Sequence, residues 1–388
     1  MTRLGDVCEK IGSGATPRGG KEAYKDAGIP IIRSQNIHDW VFQPDGLAFL
    51  DDEQAESLSN VEVRSNDVLL NITGDSVARA CIVPSERIPA RVNQHVVIVR
   101  AGKEINPTYL LASLQSKKTT LLSLASSGAT RNALTKRMIE NLDIDLPSRE
   151  IQDSIAQVLD SIQYKITLNN RLNDYLEQLV DGKFQELFGG LNFNATLSDV
   201  AEITMGQSPA GSSYNEEGAG IIFYQGRGEF GWRFPKRRLY TTEPKRLACE
   251  GDVLMSVRAP VGDLNVAFEN CCIGRGLAAI HSETPSFALY LMRFLKPQLE
   301  AYNGEGTVFG SINGKALKSL EVALPSHNEV MQFESFAAPI DALIRSNENE
   351  TRKLNNLRNY LLPKLMSGEI DVSKVDLTQL TNNHLVDC

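Results

Sequence analysis

Two kinds of hydrophobic pattern alternate along the chain. From Thr2 to Pro147, and again from Asn194 to Pro325, apolar residues come in short runs broken by Gly, Pro and Asn. Val68-Leu69-Leu70-Asn71-Ile72, Val96-Val97-Ile98-Val99 and Gly220-Ile221-Ile222-Phe223-Tyr224 are examples, and such β-rich runs predict strands. Tyr109 to Leu124 and Phe287 to Leu299 follow them with helical spacing. The period then changes. After Pro147 the seam Ile155, Leu159, Ile162, Ile166, Asn169, Asn173, Leu176, Val180 steps by four and three. After Pro325 a second seam reads Ile340, Leu343, Asn347, Glu350, Leu354, Leu357, Leu361. A spacing of 3.5 residues sustained this long predicts a coiled-coil helix in each place. An offset of 181 lays Ile340 on Leu159, Leu343 on Ile162, Leu357 on Leu176 and Leu361 on Val180. Pro339 predicts a kink in the second helix or marks its start.

The globular stretches are also copies of each other. Leu4-Gly5-Asp6-Val7 returns as Leu197-Ser198-Asp199-Val200, Asn66-Asp67-Val68-Leu69-Leu70 as Gly251-Asp252-Val253-Leu254-Met255, and Leu146-Pro147-Ser148 as Leu324-Pro325-Ser326. The offset drifts from 193 to 178, so loops of different length separate the copies and the period is far too long for a solenoid. The expected fold is α+β: two pseudo-symmetric globular domains separated by two long antiparallel helices. Its expected parts are globule 1–147, helix 148–190, globule 191–325, helix 326–372 and tail 373–388. A helix of some 38 residues is roughly 55 Å long, so paired helices would space two similar heads.

Composition narrows the class. The 388 residues are 42% hydrophobic and 23% charged, which is ordinary for a globular protein. A net charge of −8 argues against coating nucleic acid by bulk positive charge. Each globule nets −1 and the helices −3 and −2, so local clusters decide. The first residues lack an apolar leader core and no run reaches membrane-span length, so a cytoplasmic location is expected. Six cysteines without a CxxC pair read as free thiols in preference to a zinc site or disulfides, and no metal site is expected.

One cluster stands out. Between Gln225 and Arg246, seven basic residues are interleaved with Phe230, Trp232, Phe234 and Tyr240. A solvated hairpin would explain the charges but not the aromatics, so nucleic-acid contact is favoured. In the first copy, Arg33-Ser34-Gln35-Asn36-Ile37-His38 offers amide and imidazole groups at the matching place. Catalytic motifs fail. Gly226-Arg227-Gly228-Glu229-Phe230-Gly231 fits GxGxxG but runs into Trp232-Arg233-Phe234-Pro235, which does not open a helix. Gly310-Ser311-Ile312-Asn313-Gly314-Lys315 is one residue short of a P-loop and lacks the following hydroxyl. The histidines show no metal spacing, and neither GxSxG nor HExxH occurs.

Over essentially its whole length the chain resembles the specificity (S) subunit of type I restriction-modification systems. The resemblance rests on the order, occurring twice, of Leu4-Gly5-Asp6-Val7 with Gly12-Ser13-Gly14-Ala15-Thr16-Pro17, Arg33-Ser34-Gln35-Asn36-Ile37, Asp67-Val68-Leu69-Leu70-Asn71-Ile72-Thr73-Gly74, Asn93-Gln94-His95 and the Leu-Pro-Ser exits. The second copy departs from it with Gly274-Arg275-Gly276 where the first has Asn93-Gln94-His95. The resemblance implies two target recognition domains, each reading half of a split DNA target. It implies helices that set the gap and dock two methyltransferase (M) subunits, with restriction (R) subunits added, and no catalysis by this chain. S-adenosylmethionine, ATP and Mg would sit on the partners. The expected DNA-binding residues are Arg33, Gln35, Asn36, His38, Thr73, Ser76, Thr130, Arg131 and Asn132 in the first copy. In the second they are Gln225, Arg227, Arg233, Arg237, Arg238, Arg258, Ser311 and Asn313. The alternatives are a coiled-coil scaffold with duplicated protein- or carbohydrate-binding modules, and an enzyme with a nucleotide site at the Gly-rich loops.

Overall fold

Alternate residues of the strand Val68–Asn71 face different cores, and that alternation organises the first globule. The structure is a computed structural model that describes residues 1–126, 132–304 and 310–372. The chain divides into two units: residues 1–169 with 350–388, and residues 170–349.

In the first unit an antiparallel sheet runs in the order Cys8–Ser13, Val96–Ala101, Val68–Asn71, Ala80–Ile82. Val68 and Leu70, with Val97 and Val99, point into a core shared with the helix Pro107–Ser116. Leu69 and Ile98 point the other way, into a core closed by a second sheet. That sheet orders Ala48–Leu50, Ile29–Ile32, Ala90–Val92, Glu62–Val63, with the central pair parallel. A sheet covered on both faces explains why these strands read as unbroken apolar runs.

The second unit repeats the plan on its own. Its first sheet runs Glu202–Met205, Leu277–His281, Val253–Ser256, Leu264–Val266. Val253 and Met255 face the core that holds the helix Pro285–Phe294, while Leu254 faces the opposite core. A second sheet of five strands again has one parallel pair, Ile221–Tyr224 with Cys271–Ile273. Mixed helix and sheet content is as expected from the sequence.

The helices Arg149–Phe188 and His327–Met366 each contribute one half to each unit. Ser326 and Glu329 cap the second helix reciprocally, the backbone N–H of Ser326 donating to the Glu329 carboxylate at 2.8 Å. The helix continues unbroken through Pro339. Inside the first unit the contacts run antiparallel: Arg358 donates to Gln163 at 2.6 Å, and Asn169 donates to Glu350 at 2.8 Å and to Thr351 at 3.4 Å. Inside the second, Asn347 donates to Asn173 at 2.8 Å. In the first unit Ile155, Leu159, Ile162 and Ile166 enter the same core as Leu362 and Leu365. In the second, Phe184 and Phe188 stack edge-on with Phe287 and Phe333.

The first seam is where its spacing places it: Leu159, Ile162, Ile166, Asn169 and Val180 are buried, and Leu176 is half-buried. The second seam needs correction. Leu343 and Leu357 are each 44% exposed, and the buried positions are Phe333, Ala337, Ile344, Asn347, Arg358, Leu362 and Leu365, with Ile340, Leu354 and Leu361 half-buried. The alternate steps lie one residue further on, at Ile344, Thr351 and Arg358, and the last two are polar. The burial patterns therefore superpose at an offset of 178, not 181, matching Ile155 to Phe333, Ile166 to Ile344 and Asn169 to Asn347. This is also the offset of the two Leu-Pro-Ser exits.

Candidate nucleic-acid interface

Loops at one end of the central sheet converge in each unit. In the first, Thr73 bridges to Ala133, and the N–H of Gly74 donates to Asn132 O at 3.1 Å. Asn71, at the end of its strand, donates its amide to Ser34 O at 2.9 Å, which ties the Ser34–Asn36 turn to the same edge. Thr73 Oγ1 lies 2.8 Å from His95 Nδ1, and Gln94 Nε2 lies 3.1 Å from His95 Nε2. The result is a wall of hydroxyl, imidazole and amide groups, with Gln94 and Asn132 exposed and Thr73 and His95 half-buried.

The second unit builds the same corner from different chemistry. Arg258 bridges to Ser311, and the N–H of Ala259 donates to Gly310 O at 3.0 Å. Gln225, Arg227, Arg258 and Arg275 line a shallow depression of about 220 Å³. Arg227 pairs with Asp263 at 2.5 Å. Arg258 and Arg275 are exposed and have no ion-pair partner among the described residues. Two free guanidiniums beside a third are suited to bidentate contacts with phosphate or guanine.

Gln94, His95 and Arg275 stand at these corners without being among the residues expected from the sequence. Their signal was available: Gly274-Arg275-Gly276 aligns with Asn93-Gln94-His95, so one variable position precedes the same strand in both copies.

Several of the residues expected at the interface have partners within the fold. Asn36 is fully buried; its amide donates to Gln43 O and Asp45 O, and its oxygen accepts the N–H of Arg33. Arg233 is 3% exposed and reaches Asp341 and Glu177 at 2.9 Å each, with the Tyr290 hydroxyl at 3.3 Å. Burial alone would lower its pKa, but Tyr290, Asp341 and Glu177 hold it raised. Asn313 caps the helix Gly314–Lys318 through the N–H of Ala316. Arg237 pairs with Glu269, and Arg238 with Glu216 and Glu229, which offsets the basic cluster. Arg33 donates to Gly46 O and stacks over Tyr24, Gln35 is exposed beside the same carbonyl, and His38 and Ser76 are exposed and half-buried respectively. Thr130 and Arg131 lie outside the described residues. Gly226–Gly231 holds a short 3-10 turn, not a dinucleotide-binding helix start.

Arg233 exposes how each globule is fixed to its helices. In the first unit Arg358, on a helix, donates to Gln163 and Asn355 and lies 5.1 Å from the Trp40 ring. In the second, Arg233, on a loop, donates to Asp341 and Glu177 and lies 5.4 Å from Trp232. Gln163 and Asp341 are equivalent at the offset of 178, and so are Glu177 and Asn355. The arginine has changed sides while its two anchor positions have stayed. Burial pushes the Arg358 guanidinium down to about 10, offset in part by the charge of Asp39.

No helix among the described residues is long and apolar enough to cross a membrane. Residues 1–178 and 194–359 match the family described as type I restriction modification DNA specificity domain. A Methanocaldococcus jannaschii protein named for the specificity subunit of the type I restriction enzyme MjaX is 29% identical, over 96% of this chain and 93% of its own. The MjaIX specificity subunit of the same organism is 22% identical over 97% and 94%. Among solved structures, a type I restriction-modification system S subunit from M. genitalium is similar with a TM-score of 0.59 at 14% identity, covering 94% of this chain and 95% of that one. The HsdS subunit from Thermoanaerobacter tengcongensis is 27% identical over 95% and 96%, with a TM-score of 0.36.

Proposed function

The chain belongs to the type I restriction-modification DNA specificity family, as a specificity subunit, and from that premise we propose that each unit reads one half of a split DNA target through its converging loops. The observation that carries the reading is the pair of exposed arginines without an ion-pair partner among the described residues, Arg258 and Arg275, beside Gln225 and Arg227. Guanidinium groups match the O6 and N7 acceptors of guanine in the major groove, so the second unit reads a half-site containing guanine. The first unit, with Gln94, His95, Thr73 and Asn132, offers amide and hydroxyl groups that suit adenine or mixed base edges.

The helices serve as partner surface and spacer. Tyr164 is 70% exposed and Leu168 45% in the first unit's share of the Arg149–Phe188 helix; Tyr175 is 68% and Leu179 54% in the second's. Each pair is four residues apart on the side away from the seam, which gives each unit an apolar patch fit for a methyltransferase subunit. In this reading the chain performs no chemistry of its own. The partners hold S-adenosylmethionine for adenine methylation, and restriction subunits use ATP and Mg.

Co-expression with the neighbouring methyltransferase gene, followed by long-read detection of modified adenines, tests the proposal. A bipartite methylated motif that depends on this chain is the expected result. Methylation independent of the chain, or a continuous motif, overturns it.

A further inference from the structure

One turn of the second unit carries ligand chemistry that DNA recognition does not use. In the first unit, Asp67 accepts the N–H of Arg64 at 2.7 Å and takes the Arg100 guanidinium with both oxygens, at 2.7 and 2.8 Å. In the second, Asp252 accepts the N–H of Cys249 at 2.7 Å, and its other oxygen lies 2.6 Å from His281 Nδ1. Strand register makes these positions equivalent: Val68 pairs with Val99, and Val253 with Ile280, so Arg100 and His281 occupy the same place.

The two changes belong together. A permanent cation has become an imidazole, and Arg64 has become Cys249, whose residue is exposed. One ligand atom each from Cys249, Asp252 and His281 lie within 4.8 Å of one another. Asp252 is 5% exposed, Glu202 stands opposite His281 in the strand pairing, and Glu283 adds to the same negative field. The pocket of charge that Arg100 neutralises in one unit is thus left to a titratable group and two lone-pair donors in the other.

We propose that Cys249, Asp252 and His281 form a three-ligand site for a divalent cation of the zinc class, present in the second unit and absent from the first. Thiolate, imidazole and carboxylate are all zinc donors, and a tetrahedral ion would keep its fourth corner for water. Metal–ligand bonds of about 2.0–2.3 Å put ligand atoms roughly 3–4 Å apart, so on binding the 2.6 Å Asp252–His281 contact would open and the wider separations in the set would shorten by side-chain rotation. Binding releases the Cys249 thiol proton and any imidazolium proton to solvent, and affinity therefore rises with pH. The ion would clamp the turn before Val253–Ser256 to the end of Leu277–His281, replacing the Asp67–Arg100 pair.

The test uses the full chain stripped with a chelator and titrated with Zn²⁺ against a chromophoric competitor, then with Co²⁺. One equivalent should bind with submicromolar affinity, and the Co²⁺ form should show a thiolate-to-metal charge-transfer band. Cys249→Ser should lose that band, and His281→Arg should weaken binding by about 100-fold or more while rebuilding the arginine pairing of the first unit, so that it folds without metal. Absence of binding at micromolar free Zn²⁺, or equal binding by both folded variants, overturns the proposal.

Discussion

The Arg233 guanidinium lies 2.9 Å from the Asp341 carboxylate, the arginine buried and the aspartate half-buried, joining a loop of the second globule to a long helix. Replacing Arg233 with Ala leaves Asp341 without its cation and Glu177 with Arg293 alone. We expect a loss of about 3–5 kcal/mol of stability in the second unit, read as a drop in its denaturant midpoint. The methylated sequence should not change in the surviving folded fraction.

Arg275→Ala and Arg258→Ala should act on DNA instead. Each is exposed, so stability should stay within about 0.5 kcal/mol of the parent. Loss of a bidentate base contact should cost about 1–3 kcal/mol in binding and relax one target position, visible in the methylated motif. A change that is uniform across sequences, with a shallower salt slope, would identify the arginine as a phosphate contact.

Asn347 and Asn173 occupy buried seam positions. Polar seam residues cost stability and hold register. Changing both to Leu should raise the melting temperature while loosening the helix pairing, measured by slower or non-uniform assembly with the methyltransferase. Asn347→Ala alone should lower it, because Asn173 then loses its partner.

His281 supplies a pH signature under metal-free conditions. Its hydrogen bond and charge interaction with Asp252 raise its pKa above 6.5. The folded state therefore gains stability from protonated His281 that is fully present below the unfolded value and is lost as pH rises through the folded value. In chelator, the second unit's melting temperature should fall as pH rises past about 6.5, and His281→Arg should flatten that fall.

Insertion into the helix between Ile155 and Val180 tests spacing. If the helices set the gap, matched insertions of one heptad in both should lengthen the unspecified stretch of the motif and leave both half-sites intact. Motif determination from the methylome reads this directly.

How far the fold could be read in advance depended on how local each signal was. Strand runs, the repeat and the first seam are patterns among near neighbours, so Leu69, Val97 and Ile162 were legible. The second seam is not legible because half-buried Thr351 and buried Arg358 are polar, while Leu343 and Leu357 are apolar and exposed. The site was harder still. Arg233 finds its partners 56 and 108 residues away, and nothing near it in the chain distinguishes it from Arg227. Asn36 has the right chemistry for a base edge, yet it spends both donors on the carbonyls of its own loop.

The common offset of 178 at the Leu-Pro-Ser exits and along the buried helix positions has a genetic consequence. No insertion or deletion separates either globule's last strand from the phase of the helix that follows. A crossover placed at Pro147 and Pro325 would exchange one head for another while most buried helical positions stayed in step. New target sequences could then arise by recombination alone, without any compensating change in the stalk.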